Sequence, residues 1–164
     1  SIIRPVEMKD AEPLLVLLKE VDQSNVMRYS PGERKVSIEM QFALIEDTIQ
    51  QMRSAIFVHE QQGELTGYCM CKTEPYARTK HIGEIVIGVS EKMRQQHIAK
   101  RLMETAQAWA KDIGIHRLQC AVFERNDAAR KFLQASGFLE EGKRIDALYV
   151  DGRYYDEISY YKLI

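Results

Sequence analysis

Apolar residues recur along this chain in two rhythms, steps of three and four in some stretches and steps of two in others, and the alternation between them lays out the elements. Residues 2 to 6 (Ile-Ile-Arg-Pro-Val) read as a short strand. Asp10 then stands where a helix cap is needed, ahead of Leu14, Leu15, Leu17, Leu18 and Val21 on one apolar side. Pro13 falls in the first turn, where its missing N–H is harmless. Residues 25 to 35, with Ser30-Pro31-Gly32, read as a loop. Ser37 caps a second predicted helix whose Ile38, Phe42, Ile45, Ile49 and Met52 have the spacing of one buried stripe. Residues 55 to 60 and 65 to 73 alternate as a hairpin around Gly63, which supplies the positive φ of a tight turn. A β-rich run covers residues 81 to 89. Ile98, Leu102, Ala106, Trp109 and Ile113 mark the inner face of a helix stopped by Gly114. Residues 117 to 122 alternate again, Asn126 caps a helix stopped by Gly137, and two strands follow, joined at Asp151-Gly152.

This order, βααββ and then β, α, β, α, ββ, predicts a mixed sheet flanked by helices, α/β or α+β in class. No repeat, low-complexity tract or Pro/Gly/Ser linker breaks it, and 164 residues suit one domain over 1–164 with a core that needs no staples. The formal charge is −1, with both signs interspersed, which gives no electrostatic footprint for nucleic acid or an anionic membrane. Three cysteines, Cys69, Cys71 and Cys120, lack C-x-x-C spacing and argue against a disulfide framework or a zinc site, pointing to a reducing cytoplasm. Cys69 and Cys71 share one strand face and are expected to pack inside. No leader pattern and no apolar run near the length of a membrane span is present in these residues. None of the four histidines has metal-ligand spacing, and neither a Gly-x-Ser-x-Gly elbow nor a Walker loop occurs.

The informative segment is Ile87-Gly88-Val89-Ser90-Glu91-Lys92-Met93-Arg94-Gln95-Gln96-His97-Ile98-Ala99-Lys100, a strand passing through a polar turn directly into a helix. A helix N-terminus presents unpaired N–H groups and the positive end of its dipole, a ready site for a pyrophosphate. The segment resembles the cofactor turn of the GNAT superfamily of N-acetyltransferases, [Arg/Gln]-x-x-Gly-x-[Gly/Ala], with Arg94, Gln95, Gln96, Ile98 and Ala99 in place and Val89 at the apolar position before it. His97 replaces the first glycine. Either its backbone adopts a φ that a non-glycine tolerates, or the pyrophosphate sits farther off. Downstream, Asn126 to Phe138 (Asn-Asp-Ala-Ala, seven residues, Gly-Phe) resembles the second family segment. The opening Ile3-Arg4-Pro5 with Asp10-Ala11 and the closing Asp151-Gly152-Arg153-Tyr154-Tyr155-Asp156 are similar to branches that acetylate ribosomal proteins, polyamines and amino acids.

The resemblance implies a twisted mixed sheet whose central strands splay to form a V-shaped cofactor cleft between the strand of Val89 and the strand beginning near Arg117. It implies acetyl-CoA as co-substrate, with no metal. The backbones of Ile87 and Val89 would pair with the pantetheine arm, and the amides of Gln95, Gln96, His97, Ile98, Ala99 and Lys100 would hold the pyrophosphate. Arg94 and Lys100 would add charge, and Asn126 and Ala129 would border the arm from the other side. The acceptor would approach from the opposite side, near residues 25 to 35, where Arg28, Tyr29, Glu33 and Arg34 are suited to contact it. The partners implied are acetyl-CoA and an amine; nucleic acid and membrane are excluded, and a homodimer is compatible with the pattern.

An alkylamine with a pKa near 10.4 is neutral only about one part in a thousand at pH 7.4, a deficit of roughly 4 kcal/mol, so a general base helps. Glu84 is the candidate, because several family members carry a glutamate at this strand position, and desolvation in a cleft raises a carboxylate's pKa. The family's frequent acid, a tyrosine seven residues after the asparagine, is replaced by Leu133. Tyr154 or Tyr155 is the alternative acid, and solvent also reprotonates a thiolate of pKa near 8.5. The expected function is acetyl transfer from acetyl-CoA to a primary amine by direct attack in a ternary complex. The alternative is a non-catalytic acetyl-CoA sensor, motivated by Leu133 and His97.

Overall fold

A computed structural model describes residues 1–94 and 97–164. Seven strands form one sheet in the order β1-β2-β3-β4-β5-β7-β6: β1 (Ile2–Pro5), β2 (Ala55–Gln61), β3 (Glu64–Lys72), β4 (Ile82–Val89), β5 (Arg117–Phe123), β6 (Leu139–Val150) and β7 (Arg153–Leu163). Every neighbouring pair is antiparallel except β4 and β5, which are parallel. Four helices accompany the sheet: α1 (Ala11–Asp22), α2 (Ile38–Gln51), α3 (Ile98–Asp112) and α4 (Asp127–Ala135). The mixed sheet with flanking helices is the architecture expected from the pattern.

Two apolar cores lie on opposite faces of the sheet. Leu14, Leu18, Val21 and Ile45 of α1 and α2 pack with Val58, Tyr68 and Met70 on one face. On the other, Ile98, Leu102 and Ala106 of α3 and Leu133 of α4 meet Cys69, Cys71, Ile85 and Leu118. Each fully buried Leu or Ile in these layers contributes about 1.5–3 kcal/mol. Cys69 and Cys71 do share one buried face; burial raises their pKa, that of Cys71 to about 12.

The hairpins follow turn chemistry. Gln62 and Gly63 both have positive φ between β2 and β3, as do Asp151 and Gly152 between β7 and β6, the geometry that matches a two-residue loop to strand twist. Edge strand β6 carries charges and irregular register between Glu140 and Gly142 and between Arg144 and Leu148, features that discourage pairing with another chain.

Two local expectations need correction. Asp10 stands at the start of α1 but makes no side-chain cap. Its carboxylate instead accepts Arg4 Nη1 at 2.7 Å, Arg4 Nη2 at 2.9 Å and the Glu7 amide at 2.8 Å, joining β1 to the turn before α1. The α2 stripe is not buried as a stripe. Ser37 caps the helix as expected, accepting the Met40 amide, but only Gln41 and Ile45 are buried. Ile38, Phe42 and Ile49 are exposed, and Met52 is 76% exposed, because α2 rests along one narrow line on α1 and β2 at the margin of the core.

Candidate functional site

The parallel pair β4–β5 is short. Ile82 pairs with Arg117, Gly83 with Leu118 and Glu84 with Gln119, after which no pairing continues although β4 runs on to Val89 and β5 to Phe123. Each strand is held elsewhere: β3 pairs with β4 as far as Val89, and β7 pairs with β5 as far as Phe123. With a sheet twist of about 20–25° per strand, two strands bound to different neighbours diverge once their own bonds stop. The V-shaped gap opens where it was expected, and a cavity of about 230 Å³ occupies it.

Directly paired residues share a face, so the registers define both sides of the gap. Glu84, Gln119, Phe123 and Glu157 lie on the face shared by Met70 and Tyr68, the α1/α2 side. Ile85, Ile87, Cys120 and Val122 lie on the α3/α4 side. The cavity is lined from both: Ile87, Cys120, Asn126, Ala129 and Leu133 on one, Arg28, Glu84, Phe123, Arg144 and Glu157 on the other.

On the α3/α4 side, the β4 edge from Ile85 to Val89 that faces β5 has no strand partner among the described residues. Asn126 caps α4, its Oδ1 accepting the Ala129 amide at 3.1 Å, which leaves its NH₂ as the group to offer a ligand. At the α3 entrance His97 has φ +60° and ψ +19°, the left-handed region that favours glycine, and makes no side-chain cap. The first-turn amides of α3 therefore retain their orphan character. Ile98 points its side chain into the core against Gly67 and can act only through its backbone, Ala99 is half-buried, and Lys100 is exposed. Arg94 is exposed as well, and neither cation forms an ion pair among the described residues, whereas nearby Lys92 binds Glu64 at 2.7 Å. Gln95 and Gln96 lie outside the described residues.

On the other side, Glu84 lines the cavity at its apex and accepts the Gln119 side-chain amide at 3.1 Å. It is exposed and not sealed from solvent as a desolvated base would be. Tyr154 is 65% exposed and packs on Tyr149. Tyr155 meets Phe123 edge-on and accepts Arg125 Nη1 at 3.0 Å. Neither tyrosine is among the residues lining the cavity. Leu133 is buried in the α3/α4 core where it borders the gap.

Among the lining residues that sequence reasoning missed, three are polar or ionisable: Glu157, Arg144 and Cys120. Glu157 is only 8% exposed and receives Arg144 Nη1 at 2.9 Å, while Cys120 of β5 lines the gap with its thiol pushed up to about 12 by burial. The signal for Glu157 was present: it interrupts an aromatic and aliphatic strand on the face of Tyr155 and Ser159. Among the described residues no three His, Cys, Asp or Glu side chains are grouped to hold a metal, and no helix is long and apolar enough to cross a membrane.

A splayed parallel pair between two antiparallel blocks, with an uncapped helix start beyond it, defines an acetyltransferase of the GNAT class, and the comparisons agree. The acetyltransferase (GNAT) family model matches residues 21–138, so the chain belongs to that family. The fold resembles a GNAT-family acetyltransferase from Streptococcus pneumoniae, with TM-score 0.94, 26% identity and 99% of each chain covered. It also resembles a ribosomal-protein-alanine N-acetyltransferase from Brucella melitensis, with TM-score 0.90, 21% identity and 100% of each chain covered. A phosphinothricin acetyltransferase from Sinorhizobium meliloti, solved in complex with acetyl-CoA, gives TM-score 0.86 at 18% identity over 99% of this chain and 88% of that one. Comparison with curated proteins gave no match.

Proposed function

We propose that the chain is a single domain over residues 1–164 that transfers the acetyl group of acetyl-CoA to a primary amine within a ternary complex. The observation that carries this reading is the gap itself: an unpartnered strand edge and helix entrance on one face, and a carboxylate on the other, share one cavity. The unpaired β4 edge at Ile87 and Val89 suits the amides of a pantetheine arm, as an added strand would. The first-turn amides of α3 from His97 to Lys100, with Arg94 and Lys100, suit a pyrophosphate. Gln95 and Gln96 belong to the same proposed turn. Asn126 and Ala129 would flank the arm from α4.

Glu84 is the proposed base. It takes the amine's proton, directly or through water, the nitrogen attacks the acetyl carbonyl carbon, and the carbon–sulfur bond breaks to release thiolate. Positioning the two reactants supplies a large share of the rate. Reprotonation by solvent is the favoured route for the thiolate, since Tyr154 and Tyr155 stand off the cavity. The branches acetylating ribosomal proteins, polyamines or amino acids are the proposed neighbourhood. Three unpaired buried cysteines support a reducing, cytoplasmic setting.

A thiol-release assay over a panel of amines, with thermal melts in CoA, tests the reading. At CoA one hundredfold above Kd, binding adds about 2.7 kcal/mol, a rise of roughly 5–10 °C for a chain of this size. Amine-dependent thiol release is the expected outcome. A melting shift without it, whatever the amine, would establish the sensor alternative that Leu133 motivates, and no shift at millimolar CoA would overturn cofactor binding.

A further inference from the structure

We infer that the acceptor is an amine that also carries a carboxylate, an amino acid with an apolar side chain, and that Arg28 is the residue that selects it. The inference rests on the acetyl-transfer reading above and narrows its substrate.

The charges of the acceptor side settle into partners with one exception of each sign. Four charged side chains line the cavity: Arg28, Glu84, Arg144 and Glu157. Arg144 and Glu157 neutralise each other at 2.9 Å. Glu84 has only the neutral Gln119 amide, and Arg28 forms no ion pair among the described residues. What remains is one anion at the apex and one cation on the loop before α2, an arrangement complementary to a molecule with an ammonium group and a carboxylate. Arg28 is exposed, so a plain alkylamine would leave it to water, whereas an acceptor carboxylate would pair with it.

Of the loop's charged residues only Arg28 lines the gap, and Arg34 and Glu33 are committed elsewhere. Arg34 binds Asp22 at 2.8 Å and stacks over Tyr29. Glu33 holds the loop by accepting the Ser30 amide at 2.8 Å. Arg28 instead borders both the gap and the adjoining hollow beside Leu148. A guanidinium presents two parallel N–H groups that match a carboxylate, so the choice of arginine favours a planar anion over a lone dipole.

Polarity completes the argument. Met27, Val86, Phe123 and Leu148 also line the cavity and suit an aliphatic or thioether side chain.

The test compares L-leucine, L-methionine and L-phenylalanine with their carboxamides and with the amines left when the carboxyl group is removed. Thiol release gives kcat/KM for each, and calorimetry in the presence of CoA gives binding. The expected result is a preference for the carboxylate form. Arg28→Gln should lower the ratio of kcat/KM between each amino acid and its carboxyl-free amine by about 10- to 100-fold, mainly through acceptor KM, with Arg28→Lys retaining part of it. The KM for acetyl-CoA serves as the control. Equal use of all three forms, or an Arg28→Gln defect that is the same for every amine, would overturn the inference. If no amine releases thiol, acetyl transfer itself fails, and calorimetry still decides the anion site: carboxylate-dependent binding lost in Arg28→Gln supports it, and its absence refutes it.

Discussion

Gly88→Ala tests how closely β3 and β4 are fitted beside the gap. Gly88 pairs with Tyr68, and a Cβ placed on it would lie 2.6 Å from the Tyr68 Oη and 2.7 Å from Cε1 and Cζ. Tyr68 is 1% exposed, among the largest side chains fully inside the α1/α2 core, so its ring has little room to retreat. Overpacking of this kind costs about 1–3 kcal/mol. Replacing glycine also removes freedom from the unfolded chain and returns about 0.4–1 kcal/mol. The net loss is about 1–2 kcal/mol, a fall in Tm of roughly 2–8 °C for a domain of this size. Thermal melts followed by circular dichroism measure it. Gly142→Ala is the control, because a Cβ there meets nothing within 4 Å, and it should leave Tm unchanged or slightly higher. Tyr68→Phe should not rescue Gly88→Ala, since the ring carbons clash as well as the hydroxyl. Tyr68→Leu removes those atoms and should show a coupling of about 0.5–3 kcal/mol in a double-mutant cycle. Equal Tm for Gly88→Ala and Gly142→Ala, or a cycle without coupling, would refute the reasoning.

Three further outcomes are expected. Glu84→Gln should lower kcat/KM by about 10²–10⁴-fold at neutral pH with acetyl-CoA affinity intact, and the defect should shrink at higher pH as more amine becomes neutral unaided; wild-type rates at pH 7 would remove Glu84 from the mechanism. Because His97 already has the left-handed backbone, His97→Gly should preserve or tighten CoA binding, while His97→Val should cost about 1–2 kcal/mol in thermal melts; a marked loss of CoA affinity with glycine would instead assign the imidazole a direct contact. At Asp10, burial acts to raise the pKa, but the hydrogen bonds from Arg4 and the Glu7 amide outweigh it and hold the carboxyl below its ordinary value. Its stabilisation is therefore complete above the unfolded value near 3.9 and is lost as pH falls through the lower folded value. Asp10→Asn should accordingly be less stable at pH 7 and lose less on acidification, and parallel acid-unfolding curves for the two proteins would contradict this.

What was legible in the chain was what depends on period and punctuation. The strands on either side of Gly63 and of Asp151-Gly152, the Ser37 and Asn126 caps and the inner face of α3 are local properties, and they hold. The failures share one physical origin, since each depends on what a residue meets across the fold. Periodicity says that Ile38, Phe42, Ile45 and Ile49 share a face of α2, but not that the core covers only a narrow line of it. A cap position says that Asp10 is placed for the α1 amides, but not that Arg4 takes its carboxylate. Arg28 and Glu157 are 129 positions apart, so only the closed sheet and its loop put them around one cavity.

The β4 strand explains why such a site tolerates little rearrangement. Its alternation gives Ile85, Ile87 and Val89 to the α3/α4 core and Glu84, Val86 and Gly88 to the opposite face. A slip of one residue would exchange these sets, placing the Glu84 carboxylate in the apolar layer beside Cys71 and Leu118 and turning Ile85 toward the acceptor side. Burying that charge without a partner would cost several kcal/mol, so the register that fixes the core also fixes the carboxylate at the apex of the gap. The free edge of the same strand is a backbone property and is indifferent to side chains. In the proposed reading one strand would separate two requirements: its edge would receive the extended cofactor arm, while one face of its side chains would set the chemistry presented to the acceptor. In the proposed transferase, substitutions at Arg28 and Arg144, which line the cavity from the loop before α2 and from β6, would change the acceptor side while leaving the β4 edge in place.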